Sequence, residues 1–451
     1  MSVIFFEGFN RPNKPDGHLW SLYGDTSWGN SSLRGHDGAL ALQPEDTDES
    51  MGVNAARATF PKRAQIPAPS NAIRDIGTAV TTPPITNLDG ITDSASLIIG
   101  FCLNGGSLIA EPTDRKIFTV FSGNGSVACT FELAASEQDP VEVSLVPERL
   151  NLLIKQNNTT VATFFIPDDV GPITFNQLSK NGNITGYGKT MGSAFLNRGG
   201  YFFELTFLQE ANLLEIHVNG LQLLTNTGAS QAAITVSSIG GFGFHSSSYG
   251  ITVVDDFYVA ESSNRLGMNT HVISLTPADG YNLLDRETPS AWKYNNVPLN
   301  SASESAVAGA LASDDGDESV LSTNAHNALA EFSFDITNEL SSWNSGDNAA
   351  IGTIACVRVG VTARKDGRGQ CGVQLMFKTD TAPIGEDESV HISPILALRG
   401  WYETSVTEFL PYWSEYPLPP GGALGLWQLS DFTTASERGF GIRFVDFAEE
   451  F

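Results

Sequence analysis

Apolar and polar residues alternate with a period of two along most of this chain, in short runs set off by polar turns. That period places successive side chains on opposite faces of a strand and leaves one face to be buried. Residues 96–103, 116–121, 126–133, 141–146, 149–155 and 160–166 follow the pattern in close succession. Gly123-Asn124-Gly125 and Asn157-Asn158 separate neighbours as hairpin turns do. Two strong strands follow at 200–207 and 213–218. Asn219-Gly220 then supplies the positive φ pair of a tight turn into a returning strand at 221–224. Residues 233–237 and 239–245 lead to 251–259, which closes this first set of strands. Upstream, 4–9 and 39–42 read as strands, and the rest of 21–90 reads as long Gly-, Ser-, Asp- and Pro-rich loop. Helical spacing is confined to a turn or two at 324–329 and 337–343.

A polar break at 261–269 divides the strands into two domains, 1–262 and 270–451. In the second, 331–335, 351–364, 370–378, 402–409 and 440–445 alternate again. The charged tip Lys365-Asp366-Gly367-Arg368-Gly369 predicts that its two longest strands pair with each other across it.

Composition supports the all-β reading. The 451 residues include 44 Gly and 22 Pro, yet 41% are hydrophobic and 27 are Phe, enough apolar surface for folded cores. With 51 acids against 25 bases the net charge is −26, a field that repels phosphate backbones and anionic headgroups, so nucleic acid and membrane are excluded as partners. Cys102, Cys129, Cys356 and Cys371 lack metal-site spacing and are expected as buried thiols. The first residues have no basic leader followed by an apolar run, and nothing approaches a membrane span, so the expected place of synthesis is a cytoplasm.

Certain residues carry a resemblance. Phe6-Glu7-Gly8-Phe9 with Trp20, the aromatic strand at 200–207, the Asn-Gly hairpin, the Gly-rich strand and Val254-Asp255-Asp256-Phe257-Tyr258-Val259 resemble a concanavalin A-like (laminin-G-like) jelly roll. Over 270–451, a Pro-x-x-Gly turn at Pro277, Trp292, an acidic loop at 314–319, the Lys-Asp tip, Trp427 and a final strand at 440–445 with apolar residues at the first and third positions after Gly441 resemble a second unit. That unit follows such jelly rolls in virion proteins of tailed bacteriophages. The resemblance implies a concanavalin A-like jelly-roll sandwich plus a second, smaller antiparallel β-sandwich. It also implies a non-enzymatic structural role on a particle assembled in the host cytoplasm, with other virion proteins, further copies of the chain and a host surface glycan as partners. A soluble carbohydrate-binding lectin is the alternative, and a glycan-cleaving enzyme the third reading.

Candidate chemistry is sparse. A retaining glycosidase needs two carboxylates about 5 Å apart, which on a strand means acids at i and i+2 or i+4. No such pair stands out, and Glu204 and Glu210 have no acid between them. No cofactor motif is present, and the seven histidines are scattered. Asp255 and Asp256 are the candidate metal ligands; adjacent on a strand, they are expected on opposite faces, one bonded to backbone or Ca²⁺ and the other in solvent. The segment 410–420 combines Tyr412, Trp413 and Tyr416 with four prolines, too apolar for water and too proline-rich for a central strand. These three aromatics are the candidate subunit interface.

Overall fold

The computed structural model describes residues 2–9, 20–23, 26–28, 39–42, 55–59, 96–104, 115–122, 126–135, 150–166, 200–208, 211–236, 239, 241–245, 252–262, 264–268, 270, 272, 291–298, 302, 307, 320–332, 354–365, 371–378, 390–392, 395–398, 410–416 and 439–446. The chain divides into two compact units, the first made of Met1–Lys62 and Asp75–Ser274 and the second of Arg63–Arg74 and Leu275–Phe451. The polar break that suggested the 262/270 division lies just before Leu275, within the first unit. The reason lies in how Arg265, Gly267 and Val272 are held, as shown below.

The first unit is an all-β sandwich of two antiparallel sheets, as the alternation predicts. Among the described residues one sheet has nine strands, running Leu221–Gln222, Leu213–Val218, Gly200–Leu208, Ser96–Asn104, Thr252–Ser262, Leu40–Leu42 and Thr26–Trp28. Ser2–Glu7 and Ala232–Ala233 pair onto it beside this path. The other sheet has eight, running Leu224–Thr225, Thr159–Ile166, Leu150–Gln156, Val127–Ala135, Arg115–Phe121, Gly241–His245, Ala55–Thr59 and Trp20–Tyr23. The region read as mostly loop thus places four short strands in the two sheets. Thr252–Ser262 is central, flanked by Ser96–Asn104 on one side and by Leu40–Leu42 and Ser2–Glu7 on the other.

Alternation puts a ring of aromatics between the sheets. Phe101 stacks on Phe203 of its own sheet at 5.4 Å between ring centroids, and meets Phe118 at 4.7 Å and Phe244 at 5.2 Å across the gap. Phe257 meets Phe242 and Phe244 edge-on. Such pairs contribute roughly 0.5–1.5 kcal/mol each beyond the area they bury. Cys129 lies in this core, and burial pushes its thiol up to about 12, which keeps it protonated and unreactive.

The turns follow the sequence chemistry. Asn219 and Gly220 have φ of 50° and 80°, and Asn157 and Asn158 have 50° and 60°, the left-handed pairs that two-residue hairpins need. Asn295-Asn296, with φ of 45° and 69°, makes a further hairpin that the alternation did not flag. The run at 221–224 is not one strand. Leu221–Gln222 pairs in the nine-stranded sheet and Leu224–Thr225 in the eight-stranded one, so the chain changes sheets at the buried Leu223.

In the second unit every described strand pair is antiparallel, in sheets of five, three and two strands. Gly439–Asp446 lies between Leu329–Phe332 and Cys371–Lys378. Trp292, Val307, Ala328 and Ala330 form a small buried cluster. Two sequence expectations fail here. Val357–Ala363 and Cys371–Lys378 do not pair across the charged tip: the first pairs with Leu410–Tyr416 and the second with Gly439–Asp446. Alternation marks each strand but not its partner, and here non-local pairing wins. Residues 324–329 form no helical turn; Asn327 takes φ of 59° in a turn that opens strand Leu329–Phe332. The expected strand at 141–146, the helical turn at 337–343 and the acidic loop at 314–319 lie outside the described residues.

Candidate functional site

Each sheet of the first unit has an outer face, and the two differ. On the nine-stranded sheet Phe101 and Phe203 point inward, so their neighbours Gly100, Cys102, Phe202 and Glu204 point out. His217, Glu204, Gly100 and Tyr258 fall in one row across four adjacent strands. Gly100 has no side chain because the Tyr258 ring occupies its place: a Cβ there would lie 2.0 Å from the ring. The ring reaches across the glycine, and its hydroxyl donates to Glu204 Oε1 at 2.7 Å.

Glu204 is fully buried and wholly engaged. Its Oε1 also accepts the Gly267 N–H at 2.8 Å, and its Oε2 receives the Arg265 guanidinium at 3.1 Å. Burial first, then the charge and hydrogen bond of Glu204, push the Tyr258 phenol well above its usual range and keep it a donor. Residues beyond Ser262, read from the sequence as a polar break, are thereby fastened over this face. The Thr270 N–H and hydroxyl both bond to the Gly267 carbonyl, and the Val272 N–H donates to Asp256 Oδ1 at 2.6 Å.

Asp255 and Asp256 are corrected by the same geometry. Asp255 pairs with Cys102 and Tyr258 with Gly100, so two residues stand opposite Phe101 alone, a β-bulge with Asp256 at φ of 49°. The bulge breaks the alternation, and both carboxylates are completely buried instead of one facing solvent. Asp255 Oδ1 accepts the Asp256 N–H at 2.8 Å, and Asp256 Oδ1 holds Val272, a structural use of the pair. Among the described residues no three His, Cys, Asp or Glu side chains converge as metal ligands would.

The eight-stranded sheet presents a different outer face. Phe118, Phe131, Leu152 and Phe164 point to the core, so Thr119, Thr130, Glu132, Asn151, Leu153, Lys155 and Phe165 point away. Two adjacent rows cross it. Leu224, Phe165, Asn151 and Ala134 form one, and Thr163, Leu153, Glu132 and Lys116 form the next. Phe165 is 37% and Leu224 50% exposed, an apolar shelf on a solvent-facing sheet. Beside it Asn151 Oδ1 is buried with no hydrogen-bond partner among the described residues. Glu132 is buried between the Lys155 ammonium and the Thr130 hydroxyl. Farther along, the Thr119 hydroxyl and His245 Nε2 lie 2.8 Å apart.

Sequence reasoning missed this face because it searched for paired acids, and none stands among its described residues. In no described strand pair do two acids stand opposite each other. A usable signal existed: Thr130 and Glu132 alternate with Cys129, Phe131 and Leu133, and Phe165 falls at a position whose neighbours Phe164 and Ile166 are the buried ones. Tyr412, Trp413 and Tyr416 lie on strand Leu410–Tyr416, which is paired on one side only among the described residues, where a proline is tolerated.

No family model matches the chain, and no curated protein matches it. Among solved structures it is similar to peanut lectin with a 9mer peptide, at 10% identity over 58% of this chain and 99% of that one, with a TM-score of 0.28. It is also similar to a Bacillus subtilis protein of unknown function with a galectin-like fold, at 11% identity over 59% and 98%, TM-score 0.30. A third is the binding domain of Botulinum neurotoxin DC in complex with rat synaptotagmin II, at 12% identity over 99% and 94%, TM-score 0.32.

Proposed function

We propose that the chain is a non-catalytic glycan-binding protein whose first unit holds its ligand on the outer face of the eight-stranded sheet. One observation carries this reading: the exposed Phe165 stands directly opposite Asn151, whose buried side-chain oxygen has no described partner. A sugar ring offers an apolar C–H face and an edge of hydroxyls. The first packs on Phe165 and Leu224, and a hydroxyl satisfies the Asn151 acceptor, whose lack of a partner otherwise costs about 1–3 kcal/mol. Screening the purified chain against an oligosaccharide panel tests this reading. Phe165→Ala and Asn151→Ala should each lower affinity at least about tenfold, equivalent to ~1.4 kcal/mol. Wild-type affinity surviving both changes, or release of reducing ends from any bound glycan, would overturn the reading.

A second reading sets this module on the particle of a tailed bacteriophage, with other virion proteins as neighbours. It rests on the sequence resemblance and on strand Leu410–Tyr416, which offers an apolar segment with one open edge among the described residues. Tyr412, Trp413 and Tyr416 would then face another copy or a virion partner. Sedimentation of the chain should show an oligomer that Trp413→Ala weakens; a monomer that also fails to join particles ends this reading.

A further inference from the structure

We infer that the saccharide taken by the outer face of the eight-stranded sheet is an acidic one, carrying a carboxylate. This deepens the glycan-binding reading and rests on it. The inference comes from the sign of the charge on that face. The chain as a whole carries −26, so a surface chosen at random on it is acidic. The described side chains of this face include one acid, Glu132, and two lysines, Lys116 and Lys155. Lys155 is bonded to Glu132 and balances it. Lys116 stands directly opposite Glu132 on the neighbouring strand, is exposed, and makes no ion pair among the described residues. Among the described side chains of this face, two lysines against one carboxylate leave one positive charge, and Lys116 holds it at a fixed place on a β-sheet.

The placement suits an extended ligand. Lys116 and Phe165 lie three strands apart, about 14 Å at a strand spacing of ~4.8 Å, and on neighbouring rows. A sugar stacked on Phe165 and Leu224 therefore directs the next residues of the glycan over Asn151 and Leu153 toward Lys116. There an ammonium, as a compact point charge with three donors, meets a carboxylate without needing a two-pronged geometry. A neutral glycan leaves that cation in water and gains nothing from it. Elsewhere the acidic protein surface repels an anionic sugar, so attraction at this one place also fixes which way the ligand lies.

The test compares two tetrasaccharide probes of equal length, one built of uronic acids and one of the corresponding neutral hexoses, by titration calorimetry on the full chain. Wild type should bind the acidic probe at least about tenfold more tightly than the neutral one. Raising salt from about 50 to about 200 mM should erode that preference, as it does for exposed charge pairs. Lys116→Gln should bring the ratio of the two affinities close to one, and Lys116→Arg should restore it. Lys293→Gln, an exposed lysine of the second unit, should leave the ratio where it was. Equal affinity for the two probes, or a ratio untouched by Lys116→Gln, overturns the acidic-sugar inference while the glycan reading stands. Failure to bind either probe, with Phe165→Ala also without effect across the wider panel, removes both.

Discussion

On the nine-stranded sheet the outward side chains Phe202, Glu204, Asp255 and Tyr258 are all buried; on the eight-stranded sheet Lys116, Phe165 and Leu224 meet solvent. Both faces come from the same alternation, and one side of each strand packs the shared phenylalanine core. The difference lies in what covers the far side. Over Glu204 the chain places Arg265 and Gly267, which supply a cation and an N–H to a carboxylate that would otherwise be buried at a prohibitive cost. No comparable hydrogen-bonded cover is seen over Phe165 among the described residues. A sandwich of this size has two outer faces to dispose of: here one is sealed from within the chain, and the other keeps an aromatic and a cation at the surface, with the buried Asn151 oxygen beside the aromatic.

The sharpest way to break this contrast is to remove the seal. Glu204→Gln keeps the shape but takes away the charge that pairs Arg265, and its amide presents donors to a site already filled with donors. Removing one partner of a fully buried pair costs about 3–5 kcal/mol; because Arg265 is one-third exposed, solvent screening reduces this to about 2–3 kcal/mol. Urea unfolding should report that loss, and hydrogen exchange should show the Gly267 and Val272 amides losing protection. Phe165→Ala in the same assay should move stability by less than about 1 kcal/mol, since its ring is already partly in water. Comparable losses in the two variants would mean that the faces are not distinct in the way proposed here.

How much of this was written visibly in the sequence differs between the faces. Strands and hairpins could be read closely: 200–207, 213–218 and Asn219-Gly220 became Gly200–Leu208, Leu213–Val218 and a turn with two positive φ angles. Period two and Asn-Gly chemistry are local, and local rules survive folding. The Glu204 hub was not legible, because its partners Tyr258, Arg265 and Gly267 lie 54, 61 and 63 residues away. The Asp255-Asp256 pair misled for a related reason. A bulge inserts one residue against Phe101, and a single insertion reverses the face of everything beyond it. Strand pairing in the second unit failed on the same ground, since alternation says that 357–363 is a strand and is silent on whether it meets 371–378 or 410–416.

The smallest expected effect also belongs to the sealed face. His217 stands opposite Glu204, is 5% exposed, and its Nδ1 has no hydrogen-bond partner among the described residues. Burial first, and then the Arg265 charge, lower its pKa from the ordinary 6.5, while Glu204 and Glu215 pull the other way without reversing it. The folded state therefore prefers the neutral ring, and the unfolded state takes up the proton first as pH falls. The stability this represents is fully present above about pH 6.5 and is lost on acidification from there down to the lowered folded value. Wild type should thus lose stability between about pH 7.5 and about pH 5 that a His217→Gln variant, which cannot titrate, keeps. Measuring urea midpoints at both pH values isolates the difference of differences. The same acid-side loss in the variant would assign it to other groups, and a wild type that gained stability on acidification would reverse the sign claimed for this histidine.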